Sequence, residues 1–331
     1  MKHLFTLLAL TVGFSMYGQL GPVTENGQTG QRLQTSNASN HGDIGSNAVD
    51  LSNSDFLSSR GATGNYSTAM GFFTMASGDY STAMGESSTA SGDFSTAMGS
   101  YTTASGFSST AMGEASTASG DTSTAMGIYT RASGSTSTSM GLFTIASGDS
   151  STAMGDSTTA SDYGSLVIGQ YNLSGATVTN SATAFNIANT AFVIGNGANG
   201  SNQSDAFKVL FSGETVIGSD LEVKGNVLIS SDARLKANIV SLGSTLAKLL
   251  LIDGKRYTMK KDGKQNIGVL AQDIQKVFPE LVSTDDKEML AVNYQGLVPV
   301  LINALKEQDA KMKEQEKRLE RLEAIISKID R

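Results

Sequence analysis

The sequence predicts a mainly β chain: a parallel β-roll of 14-residue coils, then a compositionally distinct segment, then a terminal coiled coil. Three observations predict it. Ser-Thr-Ala-Met-Gly recurs with Met at 70, 84, 98, 112, 126 and 154, and Ser-Thr-Ser-Met-Gly fills the missing place at Met140. Composition shifts at Ser231, beyond which 18 of the 24 Lys and Arg residues lie. Near the end, Leu305, Met312, Leu319 and Ile326 recur every seven residues.

Residues 1–19 have the pattern of a secretory signal peptide. Met1-Lys2-His3 is a short positive region, Leu4 to Phe14 is apolar, and small Gly18 lies before the expected cut. The apolar run is too short to span a bilayer, and no later stretch is long and apolar enough to do so. The mature chain is expected to be exported, then secreted or held at the cell surface. Residues 20–60 are rich in Asn, Ser and Gly and read as a loose segment or a ragged start of the roll.

Residues 61–169 hold the repeat. Ala-Ser-Gly alternates with the Met-Gly element, so glycine falls every seven residues from Gly71 to Gly155. The period is too short for helical hairpins, and Ser, Thr and Gly are poor helix formers. Two short strands and two turns per 14 residues make one coil of a solenoid. Alternation puts Thr82 and Met84 on one face and Ala83 on the other. The Met column is expected to fill the coil interior, since Met adapts to irregular gaps. The Thr rank from Thr68 to Thr152 would share that inward face; on a flat outer face it would be a candidate ice-binding ladder. Positions after each Met-Gly vary most, as in Phe72-Phe73, Glu86-Ser87, Ser100-Tyr101 and Glu114-Ala115. They are expected at turns, where exposed aromatics pack between protomers or contact a glycan or protein. Asp79, Asp93, Asp121 and Asp149 read as solubilising decoration.

These repeats resemble the 14-residue head repeats of trimeric autotransporter adhesins, with Met in place of the family's Ile and Thr in place of its Val. The resemblance covers about a third of the chain. It implies a left-handed parallel β-roll that forms a homotrimer around a common core. The family's C-terminal membrane barrel has no counterpart here.

Residues 170–230 break the period but stay β-like, with strands expected near 190–195, 206–210, 214–218, 221–223 and 225–230. Gly195 to Gly200 fits GxGxxG, but no helix follows to hold a pyrophosphate, so it reads as a loop.

Residues 231–300 carry the chemistry. Ser231-Asp232-Ala233-Arg234-Leu235-Lys236, Asn266-Ile267-Gly268-Val269-Leu270-Ala271-Gln272-Asp273, Val277-Phe278-Pro279-Glu280 and Leu290-Ala291-Val292-Asn293-Tyr294 occur in order. Together they resemble the intramolecular chaperone domain of phage endosialidases and tail spikes. The resemblance implies an α+β domain that nucleates the trimer and, in many members, cuts itself off with a Ser–Lys dyad. The dyad carries over onto Ser231 and Lys236. The cut would adjoin Ser231, with Ser231–Asp232 the expected bond. Asp232, Arg234 and Asn238 are candidates to orient the site. The plain alternative is Ser231 as a helix cap and Lys236 as a solvated side chain.

Residues 301–331 read as a coiled coil. Leu305, Met312, Leu319 and Ile326 form one seam position; Leu322 and Ile329 belong to the other, with Leu301, Gln308 and Gln315.

Composition excludes much. The chain has no Cys, which removes disulfides, thiolate nucleophiles and Cys zinc sites. His3 and His41 are its histidines, and the first lies in the signal segment. No metal and no cofactor is expected, and Ser-His-Asp catalysis would depend wholly on His41. Residues 1–230 carry 6 basic and 16 acidic residues, a balance that repels nucleic acid. The reading is an exported homotrimeric fibre that binds a surface ligand, glycan or protein. Enzymatic activity is confined to a single self-cleavage. The alternatives are a prophage tail fibre, a glycan-degrading spike, for which no carboxylate pair stands out, and an ice-binding solenoid.

Overall fold

The computed structural model describes residues 20–55, 59–260, 262–285 and 288–329. The expected signal segment, 1–19, lies outside them. The chain divides into two compact units, one ending at Gly225 and one starting at Asn226.

The first unit is a β-solenoid. Each coil holds one long strand, such as Thr96–Ser100, and one short strand, such as Thr103–Ala104. Long strands stack into a 14-stranded sheet and short ones into an 8-stranded sheet. Pairing is parallel and in step with the repeat: Thr82 lies beside Thr96, Met84 beside Met98, Gly85 beside Gly99. Identical side chains therefore form continuous ranks along the roll.

Residues 20–53 are ordered as the start of this roll. An antiparallel hairpin, Leu20–Glu25 with Gln28–Leu33, closes one end and pairs in parallel with Val49–Asn53. At the other end Leu166–Gln170 pairs with Thr190–Asn196, and Asp205–Leu210 and Thr215–Ile217 add antiparallel strands. Gly197 to Ser204 is the hairpin loop before Asp205–Leu210, as the failed dinucleotide motif required. The strands expected at 221–223 and 225–230 do not form. Val227, Leu228 and Ile229 are exposed there, and no strand among the described residues pairs with them.

The inside of the roll reverses one expectation. Thr82 and Met84 do share a face, but that face is the outside; the Ala rank points in. Ala83, Ala97, Ala111 and Ala125 are fully buried, as are Ala90, Ala104 and Ala118 from the short strands. Met70 and Met154 are 41% and 38% exposed. The reason is size. A 14-residue coil is too thin for Met between its two sheets, and Ala with Ser or Thr fills it at close packing. The Thr rank therefore also lies on the outer surface. The outer long-strand face carries Thr and Met columns, ending in Val49 and Leu51 on one side and Leu166 and Ile168 on the other. Its only acids stand at the strand ends, Glu86, Glu114 and Asp156.

Glycine enforces the close stacking. A Cβ on Gly106 would lie 2.1 Å from the carbonyl oxygen of Gly120 in the next coil. Gly106→Ala must push two coils apart and is expected to cost about 3 kcal/mol, at the upper end for overpacking. Gly200→Ala, whose Cβ meets nothing within 4 Å, serves as the control. Thermal melting of the two variants reads the difference.

The aspartates expected to be decoration instead join coils. Asp79 accepts the Asn65 N–H at 2.8 Å, Asp93 that of Asp79 at 2.9 Å, and Asp121 that of Phe107 at 3.1 Å. Asp149 accepts the Ser135 N–H at 2.8 Å. Each satisfies a turn N–H of the coil before it. Buried Asp162 does the same for the long turn at the roll's far end, taking the N–H groups of Thr179 and Thr190.

The second unit is α+β. It contains two antiparallel pairs, Lys255–Thr258 with Gln265–Gly268 and Val282–Thr284 with Leu290–Val292. Helices span Leu246–Leu249, Ala271–Val277 and Leu297–Ile329. Its core is small: Ile274, Phe278 and Val300 are buried, with Leu249, Val277, Val292 and Leu297 packed on them. Glu307 of the long helix caps the short one, accepting from Ser244 Oγ at 2.7 Å and from the Thr245 and Leu246 N–H groups. The Ser244 bond is the main cause that holds the Glu307 carboxyl below its usual range.

Candidate functional site

Asp232 opens a single 3-10 turn, Ala233–Leu235, by accepting the Arg234 N–H at 2.9 Å. The turn brings Lys236 back over Ser231. Lys236 Nζ donates to Ser231 Oγ at 2.6 Å and to the Ser231 carbonyl oxygen at 3.1 Å. The two expected dyad residues thus meet at hydrogen-bond distance. Ser231 does not cap the turn; Asp232 does.

Arg234 pairs with Asp232 at 2.7 Å. Hydrogen bonds from the Arg234 side chain, then from its backbone, hold the Asp232 carboxyl below its usual range. This pair occupies the local cation, so Lys236 is the amine left facing Ser231. Asn238 adopts a left-handed conformation, φ 53°, and ends the loop. A shallow depression beside the serine is lined by Ser230, Ser231, Asp232, Arg234 and Leu235.

Ser–Lys catalysis runs through a neutral lysine amine, and burial favours that form. Both side chains are exposed on the single chain. The single chain therefore brings the two side chains together but does not exclude water from them.

The coiled-coil positions lie on one continuous helix. Leu305, Met312, Leu319, Leu322 and Ile326 are exposed along it. The side chain of Ile329 lies outside the described residues.

A second cluster was not foreseen. At the closed end of the roll, Asp50 takes the interior position that Ala69 holds in the next coil. His41 Nδ1 lies 3.0 Å and Arg32 Nε 3.1 Å from Asp50 Oδ2. Ser52 Oγ donates to Asp50 Oδ1 at 2.6 Å, and Glu25 binds the outer side of Arg32 at 2.8 Å. His41 and Ser52 thus both serve Asp50, and all three are buried away from any substrate. Sequence reasoning missed the cluster, although an acidic residue at an Ala position of the repeat was the signal.

Burial raises the Asp50 carboxyl, but hydrogen bonds from His41 and then Ser52 outweigh it and hold it below the ordinary 3.8. Its stabilisation is therefore present above that value and is lost as pH falls through the lowered folded value. Asp50→Ala leaves Arg32 with Glu25 alone and strips His41 and Ser52 of their buried partner, and is expected to cost about 3 kcal/mol. Hydrogen exchange of the first coils reads that loss.

Among the described residues no cluster of His, Asp or Glu could hold a metal, and no helix is long and apolar enough to cross a membrane.

Comparison with known families agrees with both halves of the chain. Residues 231–283 match the family described as chaperone of endosialidase. Residues 76–102, 104–130, 119–144, 132–157 and 146–172 match the YadA head domain repeat. None of the curated proteins matches the chain. The chain thus joins a β-solenoid similar to head repeats to a segment similar to the endosialidase chaperone, an arrangement that supports a fibre-like protein.

Proposed function

We propose that this chain is an exported, homotrimeric surface-binding fibre whose C-terminal unit aligns three chains and then cuts itself off beside Ser231. The carrying observation is the outer long-strand face. It is lined by Thr and Met with acids only at the strand ends, and no described element of the first unit covers it. An interior of Ala and Ser buries little apolar area, about 25 cal/mol per Å² of it, so the roll needs a second buried face. Copies of the same face supply one. Exposed heptad residues on the terminal helix and the thin core of the second unit support the same assembly.

The chaperone role follows from the repeat. Ranks of identical strands permit register slips, and parallel pairing is slow. A trimer seeded at the C-terminal end starts all three rolls in one register.

In the cut, Lys236 takes the Ser231 hydroxyl proton and Oγ bonds to a backbone carbonyl carbon. The C–N bond breaks, the proton passes to the leaving amine, and water frees the ester. The two bonds beside Ser231 make different demands. At Ser231–Asp232, attack by the residue's own Oγ would close a strained four-membered ring, so the hydroxyl must come from a neighbouring protomer. At Ser230–Ser231, a five-membered ring allows attack within one chain, with its proximity advantage. Sedimentation and intact mass of residues 20–331 test the whole reading. A trimer yielding a fragment that starts at Ser231 or Asp232 supports it; an intact monomer at micromolar concentration overturns it.

One observation favours a second reading. The Thr rank lies on a flat outer sheet, where an ice-binding ladder would be. In the trimer this rank is covered, so thermal hysteresis by a monomeric protein would replace the fibre reading.

A further inference from the structure

The second turn of each coil carries a rank of residues in the left-handed region: Phe73, Ser87, Tyr101, Ala115, Tyr129, Phe143, Ser157 and Tyr171, with φ between 42° and 55°. Bulky side chains rarely adopt this conformation, and glycine would hold it without strain. No rung is glycine, and five are aromatic. Self-stacking accounts for part of the rank, since the Tyr129 and Phe143 rings lie parallel at 5.1 Å. It does not account for Tyr101, which stacks on no ring among the described residues and is 62% exposed. The rank at the other turn is the reference: Tyr66, Tyr80 and Phe94 fill consecutive rungs, stacked at 4.9 and 5.0 Å.

Between Tyr101 and Tyr129 one rung is missing, because Ala115 has no ring. Two coil steps separate the flanking aromatics by about 10 Å. One planar group laid over Ala115 would sit as far from each ring as neighbouring rungs sit from each other.

The residue before each small rung is acidic: Glu86 before Ser87, Glu114 before Ala115, Asp156 before Ser157. None of the aromatic rungs follows an acid; Phe72, Ser100, Ile128, Leu142 and Gln170 stand there. These three acids are also the ones in the roll that bind no backbone N–H of a neighbouring coil. The Glu114 and Glu86 carboxylates make no hydrogen bond or ion pair among the described residues; Asp156 accepts from Ser157 Oγ. From 61 to 169 there are eight acidic residues against one basic, Arg131. The gaps thus combine aromatic walls, a small floor and a carboxylate in a negative surround.

We propose that each gap is a slot for a cationic planar side chain, an arginine of a partner polypeptide. A guanidinium stacks on aromatic faces from both sides and pairs with a carboxylate through two parallel hydrogen bonds. The co-occurrence of acid and gap selects this occupant over a neutral ring. The slots lie at the turn that follows each long strand, whose last residue is the acid. The inference rests on reading the roll as a binding fibre and names the chemistry of its ligand.

The test is fluorescence anisotropy of the mature chain with a labelled Gly/Ser peptide carrying arginine, compared with its citrulline and lysine versions. The arginine peptide binds, and citrulline, equal in shape but uncharged, weakens binding about tenfold or more. The filled variant Ser87→Phe, Ala115→Phe, Ser157→Phe completes the ladder with rings that the rank already accommodates, and loses binding. Should it misfold, Glu86→Gln, Glu114→Gln, Asp156→Asn keeps the shape and must weaken arginine binding by a similar factor. Equal affinity for arginine and citrulline, or undiminished binding by the charge-removed variant, overturns the slot. So does an inert arginine peptide with a neutral hexose oligosaccharide bound by wild type and not by the filled variant; the gap is then a glycan site. Sedimentation of the same samples separates the two levels. A trimer without arginine binding sinks the slot and keeps the fibre; binding by a monomer keeps the slot and sinks the fibre.

Discussion

Chains carrying Ser231→Ala or Lys236→Ala will stay whole where the unaltered chain divides in two. Ser231→Ala removes the nucleophile, so no fragment forms at any time. Lys236→Ala removes the amine 2.6 Å from the nucleophile's oxygen and is expected to slow the cut by about 10²–10⁴, the usual weight of a general base. Arg234→Ala is the informative control. It frees Asp232, whose carboxylate can then compete for the lysine, so the cut slows without being abolished. SDS-PAGE over days and intact mass read all three. Wild type mixed into trimers with a tagged Ser231→Ala chain settles who attacks whom. If the tagged chain is cut, a neighbour's hydroxyl did it and the fragment begins at Asp232. If only untagged chains are cut, attack is within the chain and the fragment begins at Ser231. A wild-type chain that stays whole for days while trimeric removes the peptidase role and leaves a permanent trimerisation cap.

Met112→Glu will cripple the assembled roll while sparing the single coil. Met112 points outward from the long-strand sheet beside Met98 and Met126, so a carboxylate there meets no interior atom of its own chain. In a trimer packed through that face, three carboxylates enter one apolar seam without partners. Each costs several kcal/mol in effective desolvation. Melting of the full chain should therefore fall by about 10 °C or more. The same charge at Thr117, outward on the short-strand sheet, should leave melting unchanged. Equal melting of the two variants would mean that the Met face is not the seam.

The solenoid and its coil length were legible because the repeat states them directly. Which side of a strand faces inward was not. Alternation puts Thr82 with Met84 and against Ala83, but it is symmetric to turning the whole strand over. Hydrophobicity chose Met for the interior; the width of the coil chose Ala. The aspartate staples were hidden for a different reason. Their partners are backbone N–H groups of the preceding coil, which every sequence possesses. Asp50, His41 and Arg32 come together only when the hairpin folds onto the first coil. Ser231 and Lys236 were named from the resemblance, and one 3-10 turn is enough to join them. What the single chain does not supply is their enclosure; in the proposed trimer, atoms of the other copies would supply it.

The identical register of successive coils has a further consequence. Thr82 meets Thr96 as Thr96 meets Thr110, and Met84 meets Met98 as Met98 meets Met112. Removing or adding one block of 14 residues leaves the backbone ladder and the Thr, Met and Gly ranks of the long strands the same in kind. Length is therefore a free variable of this design, adjustable in increments of about 4.8 Å per coil. The roll is a ruler that sets how far the N-terminal hairpin stands from the strands that close its other end. Recombination between near-identical repeats can reset that distance without any new fold having to be found.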